Sequence, residues 1–272
     1  MAAMDWSAQA GHSAAEYDDF LVPAMFTPFA ESLLERAGVQ PDSRVLDVAC
    51  GTGAVARIAA RLAGAGGAVT AIDLGEPTLA IARSRRSERG AAPIEYRRSD
   101  AEELPFAESI FDVAVCQQGL QFFPDRPRAL AEMRRVLKAG GRLAIATWTD
   151  IAGSPLGAVA DALARHVSTE AGAVMHSPFA LHSGEDLHRL VAAAGFREIV
   201  VEAETKQCTW ASHSDFALRA IAAGPIAPLL AAAPEDARHA VNQEVAERLA
   251  AHATADGCLR MSMTSNVLIA RA

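Results

Sequence analysis

The chain contains few of the residues that crosslink a fold, anchor it in a membrane or ligate metals. Four cysteines lie far apart among 272 residues without a C-x-x-C pair, so neither a disulfide framework nor a zinc site is predicted. No run of about 18 apolar residues exists, which argues against a membrane-spanning helix. The first ten residues lack the basic start and apolar stretch of a secretory signal. We therefore expect a cytoplasmic protein.

Aromatic residues and positive charge are also scarce. Aromatic side chains make up 6% of the chain, Lys138 and Lys206 are its only lysines, and the formal net charge is −8. This balance disfavours nucleic acids and anionic membranes as partners. Apolar residues reach 51%, and 60 residues are alanine, so we expect a buried core with alanine-rich helices. The oligomeric state is not indicated.

Short apolar runs and helical patterns alternate through the middle of the chain. Strands alternating with helices at this spacing are typical of βαβ units with right-handed crossovers. The predicted fold class is therefore α/β, with a doubly wound and mostly parallel sheet. Five strands are predicted in this part of the chain: Arg44–Ala49, Gly67–Leu74, Ile94–Arg98, Phe111–Gln117 and Arg142–Trp148.

Three regions are expected. Residues 1–40 are interpreted as an N-terminal helical cap segment, residues 41–150 as the ligand-binding core, and residues 151–272 as lid insertions plus the last helix and strands of the sheet. A helical insertion on the carboxyl-end side of such a sheet is a natural substrate lid.

The third region mixes helical and extended patterns. Residues 151–182 are predicted to be a loose, partly helical insertion, and residues 212–253 to be mostly helical. Ser183 is a predicted helix N-cap, with Gly195 ending the same helix. Two further strands are predicted, Glu198–Trp210 and Arg260–Ala270.

The strongest chemical signal is a glycine-rich turn between the first strand and its helix. Gly51 and Gly53 allow the backbone to approach a ligand closely, which a Cβ would obstruct. A nicotinamide-binding fold also uses G-x-G at this turn. The difference is Asp47, four residues before Gly51: a pyrophosphate disfavours a nearby carboxylate, whereas the ammonium group of an amino-acid ligand tolerates it.

Two more acids follow the next two strands. Asp73 lies twenty residues past Gly53, where a carboxylate can accept both hydroxyls of a ribose. Asp100 closes the third strand, where a carboxylate can accept from an exocyclic adenine amine. A nucleoside attached to an amino acid and lacking phosphates fits these acids better than a dinucleotide does.

These residues resemble a known family, the class I S-adenosylmethionine-dependent methyltransferases. The chain is similar to the branch that contains ubiquinone and menaquinone C-methyltransferases and many small-molecule methyltransferases. That resemblance implies a Rossmann-like seven-stranded sheet, N-terminal helices, a helical lid and S-adenosylmethionine as cofactor, with S-adenosylhomocysteine as product. It rests on Leu46–Gly53, Ala71–Leu74, Ser99–Phe106, Phe111–Asp125 and Val136–Trp148.

Site residues are implied position by position. Asp47, Ala49, Gly51, Thr52 and Gly53 would surround the methionine part of the cofactor; Asp73 would bind the ribose, and Leu74 would pack on the adenine. The remaining implied cofactor contacts are Asp100, Ala101 and Gln117. Ala49 stands where many relatives have glycine, and Ala139 where many have proline.

Residues that would touch or activate the methyl acceptor have weaker sequence signals. Tyr17, Gln118 and Phe122 are candidates for the substrate and lid side of the site. His166, Glu170 and His176 are candidate catalytic bases, since a base is needed when the nucleophile arrives protonated with a high pKa. The eight histidines are scattered, so no metal site is predicted.

Three functions stay open at this point. The leading one is an enzyme that transfers the methyl group of S-adenosylmethionine to a small, fairly apolar metabolite by in-line displacement. A nicotinamide-dependent oxidoreductase is the second, although the two tyrosines, Tyr17 and Tyr96, form no Y-x-x-x-K pair. A non-catalytic cofactor-binding subunit is the third.

Overall fold

A single seven-stranded sheet organises the fold. The computed structural model describes residues 13–223 and 226–272, so the part of the predicted cap formed by residues 1–12 lies outside the described residues, as do residues 224–225 of the predicted lid. The spatial strand order is β3-β2-β1-β4-β5-β7-β6. The strands are β1 (Arg44–Val48), β2 (Ala68–Asp73), β3 (Ile94–Arg98), β4 (Phe111–Gln117), β5 (Leu137–Trp148), β6 (Arg197–Trp210) and β7 (Leu259–Arg271).

Strand direction confirms the predicted α/β class. The pairs β2–β3, β1–β2, β1–β4 and β4–β5 are parallel, whereas β7 pairs antiparallel with both β5 and β6. The chain order reverses between β1 and β4, and at such a point the loops following the two strands diverge to opposite faces and open a crevice. The crevice lies at the carboxyl ends of the strands, where the glycine turn and the predicted acids are found.

Helices cover both faces of the sheet because its central strands are apolar on both sides. On one face, α2 (Thr27–Ala37) and α3 (Ala54–Ala63) pack with Val45, Val69 and Val115. On the other, buried side chains of α5 and α8 pack with Leu46, Ile72 and Cys116. The remaining helices of this core are α4 (Glu76–Ser84), α5 (Arg126–Val136) and α8 (Gly184–Ala193).

The predicted element bounds hold closely in the core. Predicted strands at Ile94–Arg98 and Phe111–Gln117 coincide with β3 and β4. The Ser183 hydroxyl accepts the backbone N–H of Asp186 at 3.2 Å, which confirms the predicted N-cap of α8. The helix α5 ends at Val136, because Leu137 already pairs with Phe111 as the first residue of β5.

The N-terminal segment has an unusual helical geometry. A four-residue helix, α1 (Ser13–Glu16), continues as a ten-residue π-helix from Tyr17 to Phe26 and then enters α2. Pro23 lies inside the π-helix; a proline removes one backbone hydrogen bond and crowds the preceding turn, which favours departure from α geometry. At this proline the segment therefore stays helical but changes helix type.

A second group of helices packs with this N-terminal segment. Residues 151–182 are more regular than the loose insertion predicted, because Leu156, Val159 and Leu163 form the buried apolar stripe of a helix. Their cluster also holds Phe20, Met25 and Trp148. No helix in the described ranges is long and apolar enough to cross a membrane. The helices of this group are α6 (Pro155–His166), α7 (Thr169–Val174), α9 (His213–Ala222), α10 (Ala227–Ala232) and α11 (Glu235–Leu249).

The packing of Phe29 predicts a large stability cost for its truncation. Its ring is fully buried and meets the Trp148 ring edge-on at a centroid distance of 5.2 Å. We expect Phe29→Ala to lower the free energy of unfolding by about 3–5 kcal/mol, since it leaves a cavity where α2 meets the end of β5. Urea denaturation measures this change. Leu218→Ala is the control, because Leu218 is 58% exposed and its loss should cost less than about 0.5 kcal/mol.

Candidate active site

The glycine turn after β1 has a backbone that few residues adopt. Ala49, Gly51 and Gly53 have φ angles of 58°, 54° and 79°, all in the left-handed region. A Cβ on Gly53 would lie 2.6 Å from the Tyr96 hydroxyl oxygen, whereas a Cβ on Gly51 would meet open space. Gly53 is therefore required by both conformation and packing, and Gly51 by conformation alone. Ala49–Gly53 is called the cofactor loop below.

Asp47 is a buried acid whose charge is compensated only in part, by the charge of Arg57. Its side chain is 1% exposed, and neither carboxylate oxygen has a hydrogen-bond partner. Burial, followed by the charge of Asp73, raises the pKa of Asp47 well above its ordinary value. An uncompensated buried carboxylate is costly. A site built in this way is suited to a ligand that brings a positive charge and N–H donors.

Asp73, at the end of β2, holds the cofactor loop from the neighbouring strand. Its two carboxylate oxygens accept the backbone N–H groups of Gly51 and Gly75, each at 2.8 Å. Burial raises the pKa of Asp73, and these two backbone hydrogen bonds oppose the rise. The next residue, Leu74, is 48% exposed, an uncommon position for a large apolar side chain beside a buried acid. Both features suit a ribose followed by a flat apolar base.

The third strand end is more open. Asp100 is exposed, and its carboxylate accepts the Glu102 backbone N–H at 2.9 Å. Ala101 is buried against the sheet. The Asp100 carboxylate keeps further acceptor capacity, since one backbone N–H uses only part of what a carboxylate accepts. The predicted adenine contacts remain predictions.

Polar atoms near the ends of the central strands are left unpaired. The Gln117 side chain at the end of β4 is buried, and its amide donates to the Phe26 backbone carbonyl at 2.8 Å. The Gln117 carbonyl oxygen and the Thr52 hydroxyl are buried without partners. Buried polar atoms usually have partners. With Asp47, these two groups fit a bound amino-acid moiety that presents both donors and acceptors.

Tyr17 lies close to these acids from the N-terminal segment. Its ring is 5.1 Å from that of Phe26, and burial, with the charges of Asp73 and Asp18, raises the pKa of its phenol. Phe122 is half-buried in a short 3-10 turn, Leu120–Phe122, which packs against a second turn at Ser177–Phe179. The assignment of Tyr17 and Phe122 to the lid side of the site stays a prediction.

Gln118 does not have the predicted substrate-facing environment. Its backbone has a φ of 55°, and its buried amide donates to the Ser265 hydroxyl at 3.1 Å. Its side-chain oxygen accepts from Gln121 at 3.3 Å. The side chain is therefore used to join the end of β4 to β7, which corrects the prediction.

The three candidate bases are not brought together. His166 lies 2.7 Å from Glu244, between α6 and α11, which gives it a structural partner away from the strand ends just described. Glu170 is exposed in the first turn of α7, where hydrogen bonds from its own backbone and from Ser168 lower its pKa and make it a weaker base. His176 is exposed. The contacts of His166 and Glu170 are those of structural and surface residues, so none of the three candidates gains support as a catalytic base.

Several charged residues around the site were not predicted. Arg85 donates to Asp18 at 2.6 Å. Arg57 donates to the Thr52 carbonyl at 2.7 Å. No group of three or more histidine, cysteine or acidic residues that could hold a metal occurs in residues 13–223 or 226–272. The acidic Y-D-D segment that contains Asp18 was the one sequence signal for these charged contacts. It could not reveal the partners of Asp18, because they are distant in sequence.

Comparison with known proteins finds methyltransferases among the relatives. Residues 46–145 match a family model described as a methyltransferase domain. The chain is 40% identical over 143 residues to the ubiquinone/menaquinone biosynthesis C-methyltransferase UbiE of Pseudomonas entomophila. Over this part of its length the chain is therefore similar to methyltransferases. A similar UbiE from Proteus mirabilis is 35% identical over 143 residues.

The methyltransferase similarity covers part of each sequence. The alignment with the Pseudomonas entomophila protein spans 51% of this chain and 56% of the relative. Solved structures extend the likeness of the fold: YcgJ of Bacillus subtilis has a TM-score of 0.56 at 18% identity, covering 90% of this chain and 98% of that one. The phosphoethanolamine N-methyltransferase 2 of Haemonchus contortus has a TM-score of 0.57 at 23% identity, covering 90% of this chain and 52% of that one.

The unpaired Asp47 carboxylate predicts an opposed effect on stability and binding. Because the folded-state pKa of Asp47 is raised, ionisation disfavours the folded state, and stability is lost as pH rises above the unfolded value of about 3.9. We expect Asp47→Asn to raise the free energy of unfolding of the ligand-free protein at pH 7 by about 1–3 kcal/mol. The gain should shrink toward pH 4, where the wild-type carboxyl is protonated.

Urea denaturation at pH 7 and pH 4.5 measures this difference. Asp42→Asn is the matched control, since Asp42 is exposed and should show little change at either pH. A lower stability of Asp47→Asn at pH 7 would show that the carboxylate has a compensating partner and contradict the assignment.

Proposed function

We propose that this protein transfers the methyl group of S-adenosylmethionine to a small, apolar metabolite. The observation that carries the proposal is the buried, unpartnered Asp47 carboxylate beside the glycine turn. A cofactor with an α-ammonium group satisfies it, whereas a dinucleotide would place a pyrophosphate near the same negative charge. The family match and the Asp73–Leu74 pair on the neighbouring strand support the same cofactor.

The fold by itself leaves the activity open. One solved chain of similar fold, the [4+2]-cyclase SpnF, has a TM-score of 0.55 at 23% identity, covering 90% of this chain and 80% of that one. Its name describes a different reaction on a similar architecture. The proposal therefore depends on the residues of the site, since function is a property of the site and not of the fold.

Each side chain has a defined part in the proposed reaction. Asp47, the Thr52 hydroxyl and the Gln117 carbonyl would hold the amino-acid end of the cofactor, and Asp73 its ribose. S-adenosylmethionine supplies, when bound, a methyl group on a sulfonium that a nucleophile can displace, leaving S-adenosylhomocysteine. The protein then mainly orients the acceptor and excludes water, and a base is needed only for an acceptor that arrives protonated.

The surroundings of Gln117 support an apolar acceptor. The Phe26 ring lies 5.1 Å from the Tyr17 ring and 5.7 Å from that of Trp148, so an aromatic group follows the edge of the sheet beside Gln117. The helices packed with it contribute mostly alanine, leucine and valine to their shared cluster. An acceptor bound beside this group would meet apolar surface and be oriented by a few polar atoms. Methylation at carbon, oxygen or nitrogen is compatible with such a site.

Calorimetric titration with S-adenosylhomocysteine tests the cofactor assignment. We expect saturable binding of S-adenosylhomocysteine and none of NADH or NADPH, titrated in parallel. Binding of a nicotinamide cofactor instead would contradict the proposal and assign the glycine turn to redox chemistry. Transfer from S-adenosylmethionine carrying a labelled methyl group, screened against apolar hydroxyl, amine and aromatic acceptors, then tests catalysis.

Removal of the Asp73 carboxylate should weaken cofactor binding strongly. Asp73→Ala loses the acceptor for ribose hydroxyls and also releases the Gly51 and Gly75 N–H groups. Hydrogen bonds to a charged group contribute about 1.5–3 kcal/mol each, so we expect the Kd for S-adenosylhomocysteine to rise about 100-fold. Asp236→Ala, an exposed acid in the first turn of α11, should leave Kd unchanged. Equal affinity in the two variants would remove Asp73 from the site.

A further inference from the structure

Asp18 is a buried acid of the π-helix that the cofactor assignment does not use. Its side chain is 6% exposed, and one carboxylate oxygen accepts from the Arg85 guanidinium at 2.6 Å. The other oxygen has no hydrogen-bond partner and lies 3.9 Å from the guanidinium of Arg57. A buried carboxylate is retained at a stability cost unless it is paired, and this one pairs with Arg57 of α3 and with Arg85, which directly follows α4.

Arg57 connects Asp18 to the cofactor loop. It lies in the first half of α3, directly after the glycine turn, and donates to the Thr52 carbonyl at 2.7 Å. Its positive charge also faces the Tyr96 hydroxyl on β3, the atom that a Cβ on Gly53 would approach to 2.6 Å. One planar guanidinium thus bonds the loop and lies near both the N-terminal segment and β3, which a fork of five N–H donors allows.

The Thr52 carbonyl is a sensitive point of the loop. It belongs to the same planar peptide unit as the Gly53 N–H, which donates to the Cys50 carbonyl at 2.9 Å. Holding the carbonyl oxygen therefore fixes the orientation of that N–H as well. Gly51 and Gly53 have positive φ angles and no side chains to restrain them, so the loop depends on such external contacts for its shape.

We propose that Asp18 and Arg57 are positioning residues that couple closure of the N-terminal segment, Ser13–Phe26, to the shape of the cofactor loop. With the segment closed, Asp18 holds the Arg57 guanidinium against the Thr52 carbonyl, and the loop keeps its ligand-binding form. With the segment open, Arg57 loses that carboxylate and the loop loses its restraint. Bound cofactor and closed segment therefore stabilise each other. The inference rests on the proposed cofactor assignment.

A double-mutant cycle on S-adenosylhomocysteine affinity tests the coupling. Asp18→Asn, Arg57→Gln and the double variant are titrated calorimetrically beside the wild-type protein. We expect each single substitution to raise Kd about 10-fold, as expected for loss of a charge-assisted contact. The double variant should bind no more weakly than the weaker single variant, because the connection is already broken.

Two matched controls separate coupling from general surface charge. Asp19→Asn removes the neighbouring acid, which is exposed and also bonds Arg85. Arg61→Gln removes an arginine one turn along α3, whose exposed partner is Glu31 at 3.5 Å. Both controls should bind S-adenosylhomocysteine as the wild-type protein does. Thermal unfolding of each ligand-free variant measures stability separately, and Arg57→Gln carries the test if Asp18→Asn does not fold.

The possible outcomes are distinct. Unchanged Kd in both single variants, with normal binding by the wild-type protein, overturns the coupling and leaves the proposed function intact. Losses of affinity that add in the double variant also overturn it, because independent sites behave in that way. Absence of binding by the wild-type protein overturns the cofactor assignment and, with it, the coupling.

Discussion

The buried carboxylate of Asp47 is the constraint on which the rest of the site depends. Parallel pairing of β1 with β2 brings Asp47 and Asp73 to adjacent strand ends, and the charge of Asp73 disfavours ionisation of Asp47. The sheet enforces this arrangement, since both strands are fixed by their ladders and by apolar helices on both faces. The ligand-free protein thus holds a carboxyl group whose ionisation is unfavourable at the place where the cofactor is assigned.

The other acids at this edge of the sheet have contacts that favour their charged form. Asp73 is stabilised by two backbone N–H groups, and Asp18 by Arg85 and the nearby Arg57. Asp47 therefore differs from Asp18 and Asp73, because neither of its carboxylate oxygens has a hydrogen-bond partner. The contrast indicates that Asp47 is kept for ligand binding at a cost in stability. Such a strained functional group persists because the groups around it are well paired.

Local sequence patterns predicted the core well and the contacts between distant segments poorly. Strand bounds and the Ser183 cap follow from periodicity and capping chemistry, which depend on neighbouring residues. The environments of Gln118 and His166 depend on Ser265 and Glu244, which are 147 and 78 positions away. Such pairings have no local signature. The glycine turn and its acids were predictable because strand ends of a parallel sheet meet at one edge.

The position of β7 has a consequence for the synthesis of the chain. β7 lies between β5 and β6, so the fourteen residues of β6 have no strand to pair with until residues 259–271 have been made. The five parallel strands that carry the cofactor loop precede this step and already form a contiguous set. During translation the assigned cofactor site can therefore assemble before the sheet is complete, while β6 and the free side of β5 present unpaired edges. A cofactor present at that stage would stabilise the nascent half of the fold and shorten the exposure of those edges to aggregation.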